Sequence, residues 1–412
     1  MAAPVRWIHA ADFHLEQPAG GLVDVPDRLR ESLLEAPYRA AEKVFDTALS
    51  AKVDFVLLAG DILQPRAAGP RALVFLVEQF RRLAEAQIRV YWAGGTTDPP
   101  GAWPEGLALP DNCTVFPANS AREVIHFRDD RPVAAVIGLS RRGRRRVRPE
   151  DFRAQGTDVP VVAVAHGPTN PAALEGAAVD YWALGGRHRR TTLFSGERSA
   201  QYCGTQQGRN PDETGPHGCL QVEHDESGCH ATFVPTDTIR YFAERAVLDD
   251  DAANASTLAE TLVDRFLETH ASSARNVAAN LVRWTIAGHS PLVSRLTRFD
   301  EREQLVGDIR KQLAERSPNV WATSLEIEPV ASGEPAESDD QTMLGDFLRE
   351  LSRRGEDTAD IDFTEFIEHD ALREVLTDAV VLDHEDEQTR RRLWHEVAAL
   401  GRELLTAEGD AR

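Results

Sequence analysis

Short apolar segments in the first half of the chain are each followed by aspartate, histidine or glycine, and this repeated arrangement constrains the fold most. Val5–Ala10 and Asp54–Leu58 have strand length, whereas Arg39–Ser50 and Arg71–Ala84 have the apolar periodicity of helices. Strands that alternate with helices predict an α/β fold, with β-sheets flanked by helices. Further strands are predicted at Ile88–Trp92, Val133–Ile137, Val161–Ala165 and Tyr181–Leu184, and in a hairpin over Gly218–Val234.

The pattern changes after residue 240, which predicts a second domain. Residues 241–330 alternate three strand-like and two helical segments, as expected for a small α+β domain that caps the first or binds DNA. Residues 331–341 lack large apolar side chains and are predicted to be a linker. Residues 342–412 are predicted to be helical, with apolar stripes at Leu344, Phe347, Leu348 and Leu351 and at Leu393, Val397, Leu400 and Leu404.

The formal net charge of −21 means that the protein as a whole should repel nucleic acid, so DNA contact would require a local basic patch. No apolar run approaches the roughly 20 residues of a membrane span. The amino terminus also lacks the apolar region of a signal peptide. We therefore expect a cytoplasmic protein that does not contact membranes.

Several familiar catalytic patterns are absent from the sequence: the phosphate-binding GxxxxGK[ST] loop, the GxSxG nucleophile elbow and the dinucleotide-binding GxGxxG motif. What remains is a series of Asp and His residues at predicted strand ends. One such histidine is usually structural, but several in succession indicate a metal site, because mixed His and carboxylate ligands suit Mn, Fe or Zn. Two such ions roughly 3.5–4 Å apart can hold a phosphodiester and activate water. The candidates are Asp12, His14, Asp61, Asp98, His166 and His188.

Four segments carry a resemblance to a known family: His9–Leu15, Val53–Asp61, Asp180–Gly185 and Gln207–Cys219. In these segments the chain resembles the calcineurin-like metallophosphoesterases, and specifically the SbcD-type and YhaO-type DNA-repair exonucleases. The resemblance implies a layered α/β metallophosphoesterase domain over residues 1–240. It also implies a ligand set in which Asp12, His14, Asp61 and His188 hold a first metal, while Asp61 bridges to a second metal that His166 also binds.

Three positions depart from the family pattern. Thr96 and Thr97 stand where the family has Asn and His, and Gly186 stands where it has another His. The resemblance implies that Thr96 and Gly186 replace ligands of the second metal, and that Thr97 replaces a group near the leaving oxygen. Asp98 is retained, but the histidine that it would orient is absent. We therefore expect one tightly bound divalent ion, manganese, rather than two.

A cluster of arginines follows a predicted strand. Six of the eight residues from 141 to 148 are arginine: Arg141, Arg142, Arg144, Arg145, Arg146 and Arg148. Such clustering is suited to contacts with a nucleic-acid backbone, which need positive charge and no base recognition. A solvated loop that balances an acidic surface is the alternative. Arg187, Arg189 and Arg190 flank His188 and could extend the same basic face.

Three functions remain open. The first is a metal-dependent phosphodiesterase that acts on DNA ends, with catalysis impaired by the missing ligands. The second is a catalytically inactive scaffold that binds DNA and an ATPase, and the third is a phosphoesterase of a small substrate. For the first two, the resemblance implies a coiled-coil ATPase partner of the SbcC or YhaN type, docked through the C-terminal helices. A homodimer is also left open.

Overall fold

The structure is a computed structural model that describes residues 4–328, apart from 21, 23–24, 105, 144–145, 157, 249–253, 272–276 and 289. The predicted linker at 331–341 and the predicted helices at 342–412 lie outside the described residues, as do Arg144 and Arg145 of the arginine cluster. The proposed division of the chain into domains therefore stays a prediction.

The first sheet has six strands: β1 (Val5–Ala10), β2 (Phe55–Leu58), β3 (Arg89–Trp92), β4 (Cys113–Val115), β11 (Gly218–Asp225) and β12 (Gly228–Pro235). Their order across the sheet is β12-β11-β1-β2-β3-β4. The first four strands along the chain pair in parallel, and the hairpin of β11 and β12 adds to β1 in the antiparallel sense. Two helices, α1 (Asp27–Ala51) and α2 (Gly69–Glu85), pack against this sheet.

The second sheet also has six strands: β5 (Arg122–Arg128), β6 (Arg131–Leu139), β7 (Val161–His166), β8 (Tyr181–Gly185), β9 (Thr191–Phe194) and β10 (Ser199–Tyr202). Their order is β5-β6-β7-β8-β10-β9. Four of them, β6, β7, β8 and β10, pair in parallel, and the short helix α3 (Pro171–Glu175) packs beside β9 and β10.

The two sheets pack face to face through a buried apolar layer. Trp7 of β1 stacks on Phe55 of β2 with ring centroids 5.5 Å apart, and it meets Tyr181 of β8 edge-on at 5.4 Å. All three rings are fully buried. Because parallel strands of each sheet end at one edge, the loops that follow β1, β2, β7 and β8 come together there.

A third sheet follows, built from β13 (Ile239–Leu248), β14 (Ala279–Gly288) and β15 (Val320–Ile327). These strands pair in parallel in the order β13-β14-β15. Helices α4 (Ala255–His270), α5 (Pro291–Leu296) and α6 (Phe299–Arg316) enclose the separate apolar core of this sheet. The amino-terminal half of α1 also packs against it, with Leu29 and Leu33 in one cluster with Tyr241 and Leu281.

The predicted α/β fold is confirmed, and most predicted elements lie within one or two residues of the observed ones. The largest difference is α1, which begins at Asp27 rather than at Arg39 and continues through Pro37. Strands β4, β5, β9 and β10 were not predicted. Within the described residues, no helix is both long enough and apolar enough to cross a membrane.

Candidate metal centre

The strand-end residues predicted from the sequence gather into two groups at the common edge of the two sheets. Asp12 and His14 follow β1, Asp61 follows β2, His166 ends β7 and His188 follows β8. The first group consists of Asp12, His14 and His188, and the second of Asp12, Asp61 and His166. In each group the ligand atoms lie within 4.8 Å of one another. Asp12 thus belongs to both groups, whereas Asp61 lies in the second.

Three of these residues also have an unusual backbone conformation. Asp12, His14 and Asp61 have φ angles of 55°, 46° and 53°, in the left-handed region that residues other than glycine seldom adopt. Such strain persists only where surrounding structure holds it, and it concentrates at functional sites. Here the hydrogen bonds from Asp12 N to Gly60 O and from His14 N to Asp61 O hold the two loops against each other. The strained turns aim side chains from neighbouring strands into one space.

His14 has the surroundings expected of a metal ligand. The residue is 6 % exposed, and within the described structure neither of its ring nitrogens has a hydrogen-bond partner. A buried polar group without a partner costs about 1–3 kcal/mol, so such groups require an explanation. The Nδ1 atom lies 3.8 Å from Oε1 of Glu16, and the ring faces that of His188 at a centroid distance of 5.6 Å. A cation held between His14, His188 and Asp12 would satisfy the ring.

His188 is oriented by a carboxylate. Its Nδ1 atom donates to Oε1 of Glu213 at 2.8 Å, which leaves the lone pair of Nε2 for another partner. Burial opposes ionisation of Glu213, but its hydrogen bond with His188 and the nearby charge of Arg209 lower the pKa of this carboxyl to about 2. A carboxylate behind a histidine ligand fixes the tautomer and strengthens the ligand. Glu213 was not singled out from the sequence, although it lies within the family-like segment Gln207–Cys219.

His166 is the histidine of the second group, and it is also oriented by a hydrogen bond. One ring nitrogen, Nδ1, donates to Ala59 O at 2.9 Å, and the other, Nε2, lies 3.2 Å from Oδ2 of Asp61. Burial favours the neutral ring, but the adjacent carboxylates of Asp61 and Asp12 outweigh it and raise the pKa of His166 to about 9. Burial would likewise raise the pKa of Asp61, and the contact with His166 instead holds that pKa below its usual range. The concentrated negative charge therefore attracts a cation.

The three positions that depart from the family pattern lie around the second group. Thr97 donates to Oδ1 of Asp61 through both its backbone N, at 2.8 Å, and its hydroxyl, at 3.0 Å. Thr96 is exposed. A Cβ atom at Gly186 would lie 3.1 Å from Nε2 of His166, so this position does face the second group but supplies no ligand. Gly186 N instead donates to both carboxylate oxygens of Asp12, at 3.1 and 2.9 Å. Among the described residues, the second group therefore consists of Asp12, Asp61 and His166, and Gly186 adds no side chain to it.

Asp98 supports the site rather than lining it. Its carboxylate accepts hydrogen bonds from the backbone N atoms of Asp61, Ile62 and Gly95 and from the indole N of Trp92, at 2.6–3.1 Å. The side chain is buried. Four donors use the acceptor capacity of both oxygens. Asp98 therefore positions the Asp61 turn.

The described part of the arginine cluster is tied at both ends to loops of the site. Arg141 N donates to Gly94 O at 2.8 Å, next to the Thr96–Thr97 turn. Val147 N donates to Pro168 O at 2.9 Å, two residues beyond His166. Arg142, Arg146 and Arg148 are exposed. The cluster is thus anchored beside the metal-ligand candidates.

An α/β protein with adjoining Asp–His groups at the carboxyl ends of its strands has the features of a metal-dependent phosphoesterase. The chain is 27 % identical over 343 residues to the "uncharacterized metallophosphoesterase YhaO" of Bacillus subtilis (strain 168), an alignment that covers 80 % of this chain and 83 % of the relative. The predicted relationship to YhaO-type metallophosphoesterases is thereby confirmed.

Two further comparisons concern solved structures and family models. A dimetal phosphatase from Danio rerio matches with a TM-score of 0.37 and 13 % identity, over 57 % of this chain and 97 % of that one. No model of a known protein family matches the sequence. The assignment of individual residues to a first and a second metal stays a prediction.

Proposed function

We propose that this chain is a divalent-metal-dependent phosphodiesterase of the SbcD/YhaO type that acts on DNA ends, with catalysis weakened by an incomplete second metal group. The observation that carries the proposal is the first group: Asp12, His14 and His188 converge, His14 is buried with no hydrogen-bond partner among the described residues, and Glu213 supports His188. Manganese suits this mixed set of oxygen and nitrogen donors. When bound, the ion would polarise a phosphoryl oxygen and lower the pKa of a water molecule.

The weakened catalysis follows from the composition of the second group. Attack on a phosphodiester requires stabilisation of charge on both the entering and the leaving oxygens. Oδ1 of Asp61 already accepts two hydrogen bonds from Thr97, so the oxygen left for a second ion is Oδ2, which lies 3.2 Å from Nε2 of His166. Loss of supporting groups alone costs about 10–100-fold in metal affinity or activity. We therefore propose one tightly held ion for each chain.

DNA is the proposed substrate because positive charge lies beside the site. The exposed arginines Arg142, Arg146 and Arg148 lie on a segment anchored to the loops of Gly94 and Pro168. This concentration of charge could retain a phosphate backbone despite the net charge of −21. A coiled-coil ATPase is the proposed partner, docked by residues 342–412, and a chain that ends at Gln341 should then fail to co-purify with it.

One experiment tests the function. The protein is purified with excess manganese, its metal content is measured by elemental analysis, and hydrolysis of a bis-aryl phosphodiester and of linear DNA is followed. We expect about one ion per chain and slow hydrolysis that Asp12→Asn abolishes, with Asp225→Asn, at the exposed end of β11, as a control. Two ions at full occupancy, or rapid turnover, would contradict the incomplete second group. Hydrolysis of the diester without that of DNA would favour a small substrate.

The scaffold function is the second candidate, and the contacts of Thr97 and Gly186 favour it. If the groups that a second ion needs are absent, DNA binding could persist without cleavage. The metal-loaded chain would then bind DNA with a salt-dependent affinity and leave both substrates intact. The variant Thr96→Asn with Thr97→His would separate the two candidates, because it should raise both metal content and hydrolysis in an impaired enzyme.

A further inference from the structure

Arg209 brings a positive charge into direct contact with the first metal group. It lies between β10 and β11, where Gly20 N donates to its carbonyl at 2.7 Å and its own N donates to Oε2 of Glu213 at 2.7 Å. Its side chain is 12 % exposed. The guanidinium is therefore held at the site by the fold rather than by chance contact.

The hydrogen bonds of this guanidinium are incomplete. Nη1 donates to Gln17 at 2.6 Å, and Nη2 lies 2.9 Å from Nδ1 and 3.1 Å from Nε2 of His188. Nε is buried, and within the described structure it has no hydrogen-bond partner. Since Nδ1 of His188 already donates to Glu213, the lone pair of Nε2 is the only acceptor that the ring offers to Arg209.

That one lone pair can serve either Arg209 or a metal. If His188 acts as a ligand, as the proposed function requires, Nη2 of Arg209 loses its acceptor on the ring. Nε and Nη2 form one edge of the planar guanidinium, so two donors on the same edge would then lack good acceptors. Oε1 of Glu213 is 3.5 Å from Nη2 and is already engaged by His188. The edge has the fork geometry that matches two oxygens of a phosphate.

The charge of the site also favours a phosphate ligand. The described site is rich in carboxylates, so a bound phosphodiester needs additional positive charge beside them. Guanidinium stays charged at any physiological pH and needs no metal to do so. Arginines that contact transferring phosphoryl groups stabilise the charge that develops there.

We infer that Arg209 forms a phosphate-oxygen subsite at the first metal group and supplies part of the positive charge that a second ion would otherwise provide. This inference rests on the proposed function. It also separates Arg209 from the arginine cluster at 141–148: the cluster would contact the backbone of a polymer, whereas Arg209 would contact the phosphate at the metal.

Inorganic phosphate is the probe for this subsite. Its affinity for the manganese-loaded full chain is measured by calorimetry for the natural protein, Arg209→Gln, Arg209→Lys and Arg82→Gln. Arg82 is a solvent-accessible residue of α2 paired with Asp46, so its replacement removes the same charge elsewhere. Hydrogen bonds to charged groups imply that Arg209→Gln weakens phosphate binding about ten- to a hundredfold. Arg209→Lys keeps the charge but loses the fork of two donors, so its phosphate affinity should lie between those of the natural protein and Arg209→Gln. The phosphate affinity of Arg82→Gln should match that of the natural protein.

Manganese affinity and thermal unfolding distinguish this role from a structural one. Arg209→Gln should bind manganese as tightly as the natural chain or more tightly, because no guanidinium competes for His188. Unchanged phosphate affinity in Arg209→Gln, with weaker manganese binding or a lower melting temperature, would overturn the inference. If Arg209→Gln does not fold, phosphate affinity in Arg209→Lys equal to that of the natural chain would overturn it. A natural chain that binds no manganese would overturn the proposed function as well.

Discussion

At the scale of single residues, the carboxylate behind a histidine determines how well that histidine can bind a metal. Glu213 accepts from Nδ1 of His188, and Glu16 lies 3.8 Å from Nδ1 of His14, so both histidines of the first group have a carboxylate neighbour. The Nδ1 atom of His166 donates instead to the carbonyl of Ala59, and Oδ1 of Asp12 lies 3.9 Å from it. The shortest of these carboxylate contacts, that between Glu213 and His188, supports the first group. This difference gives the expected preference for one ion a physical basis beyond the number of ligands.

Glu213→Gln should therefore weaken manganese binding without unfolding the protein. The amide keeps the shape but loses the negative charge that strengthens His188, and loss of such a partner costs about 10–100-fold in metal affinity. Titration with manganese, followed by calorimetry, measures the effect. Glu226→Gln, on the exposed turn between β11 and β12, makes the same substitution away from the site and should bind normally. Equal affinities in the two variants would contradict the supporting role of Glu213.

Asp98→Asn should lower stability more than it changes the chemistry. The asparagine NH₂ group would face backbone N–H donors that the carboxylate now accepts from, including those of Asp61 and Gly95. A buried donor left without its acceptor costs about 1–3 kcal/mol. Urea unfolding of the metal-free chain measures this loss. Asp111→Asn, at an exposed position before β4, should leave the unfolding midpoint unchanged. A stable Asp98→Asn chain that had lost only activity would assign Asp98 to catalysis instead.

At the scale of elements, the sequence predicted the position of the site better than the limits of the helices. Parallel strands of one sheet end at one edge, so polar residues after β1 and β2 had to lie together, as did those after β7 and β8. The start of α1 was missed because proline normally ends a helix. Here Leu29 and Leu33 on the preceding turns pack against Tyr241 and Leu281, so tertiary contacts offset the cost of Pro37. Such contacts, like that between Glu213 and His188 25 positions apart, leave no local pattern in a sequence.

The arginine cluster should bind DNA with an affinity that depends on salt concentration and not on the base sequence of the DNA. Each phosphate contact contributes about −0.9 to the slope of log K against log salt concentration for B-DNA. Replacing Arg141, Arg142, Arg146 and Arg148 with serine should flatten that slope in proportion to the number of phosphates that these arginines bind. The measurement is DNA affinity by fluorescence anisotropy from low to high salt. As a control, four solvent-accessible arginines on other surfaces are replaced in the same way: Arg82, Arg245, Arg298 and Arg316. If both variants change the slope equally, the cluster only balances an acidic surface.

At the scale of the whole molecule, the metal groups join the two large sheets. Asp12, His14 and Asp61 come from loops of the first sheet, whereas His166 and His188 come from the second. The sheets otherwise meet through apolar packing such as that of Trp7 on Tyr181. A cation shared between the two sets of ligands would bind the folded chain and not the unfolded one. Metal binding should therefore stabilise the entire fold, and not only the loops that carry the ligands.

Manganese should accordingly raise the melting temperature of the natural chain, and a chelator should reverse the change. A ligand that binds only the folded state stabilises it by about 2.7 kcal/mol at a free concentration 100 times its dissociation constant, which corresponds to several degrees. His188→Ala removes one ligand of the first group and should abolish most of the shift. His224→Ala, on the hairpin strand β11 away from the site, should retain it. Unfolding that is independent of manganese in the natural chain would mean that the two groups do not hold an ion between the sheets, and the function proposed for this site would then have no metal to act through.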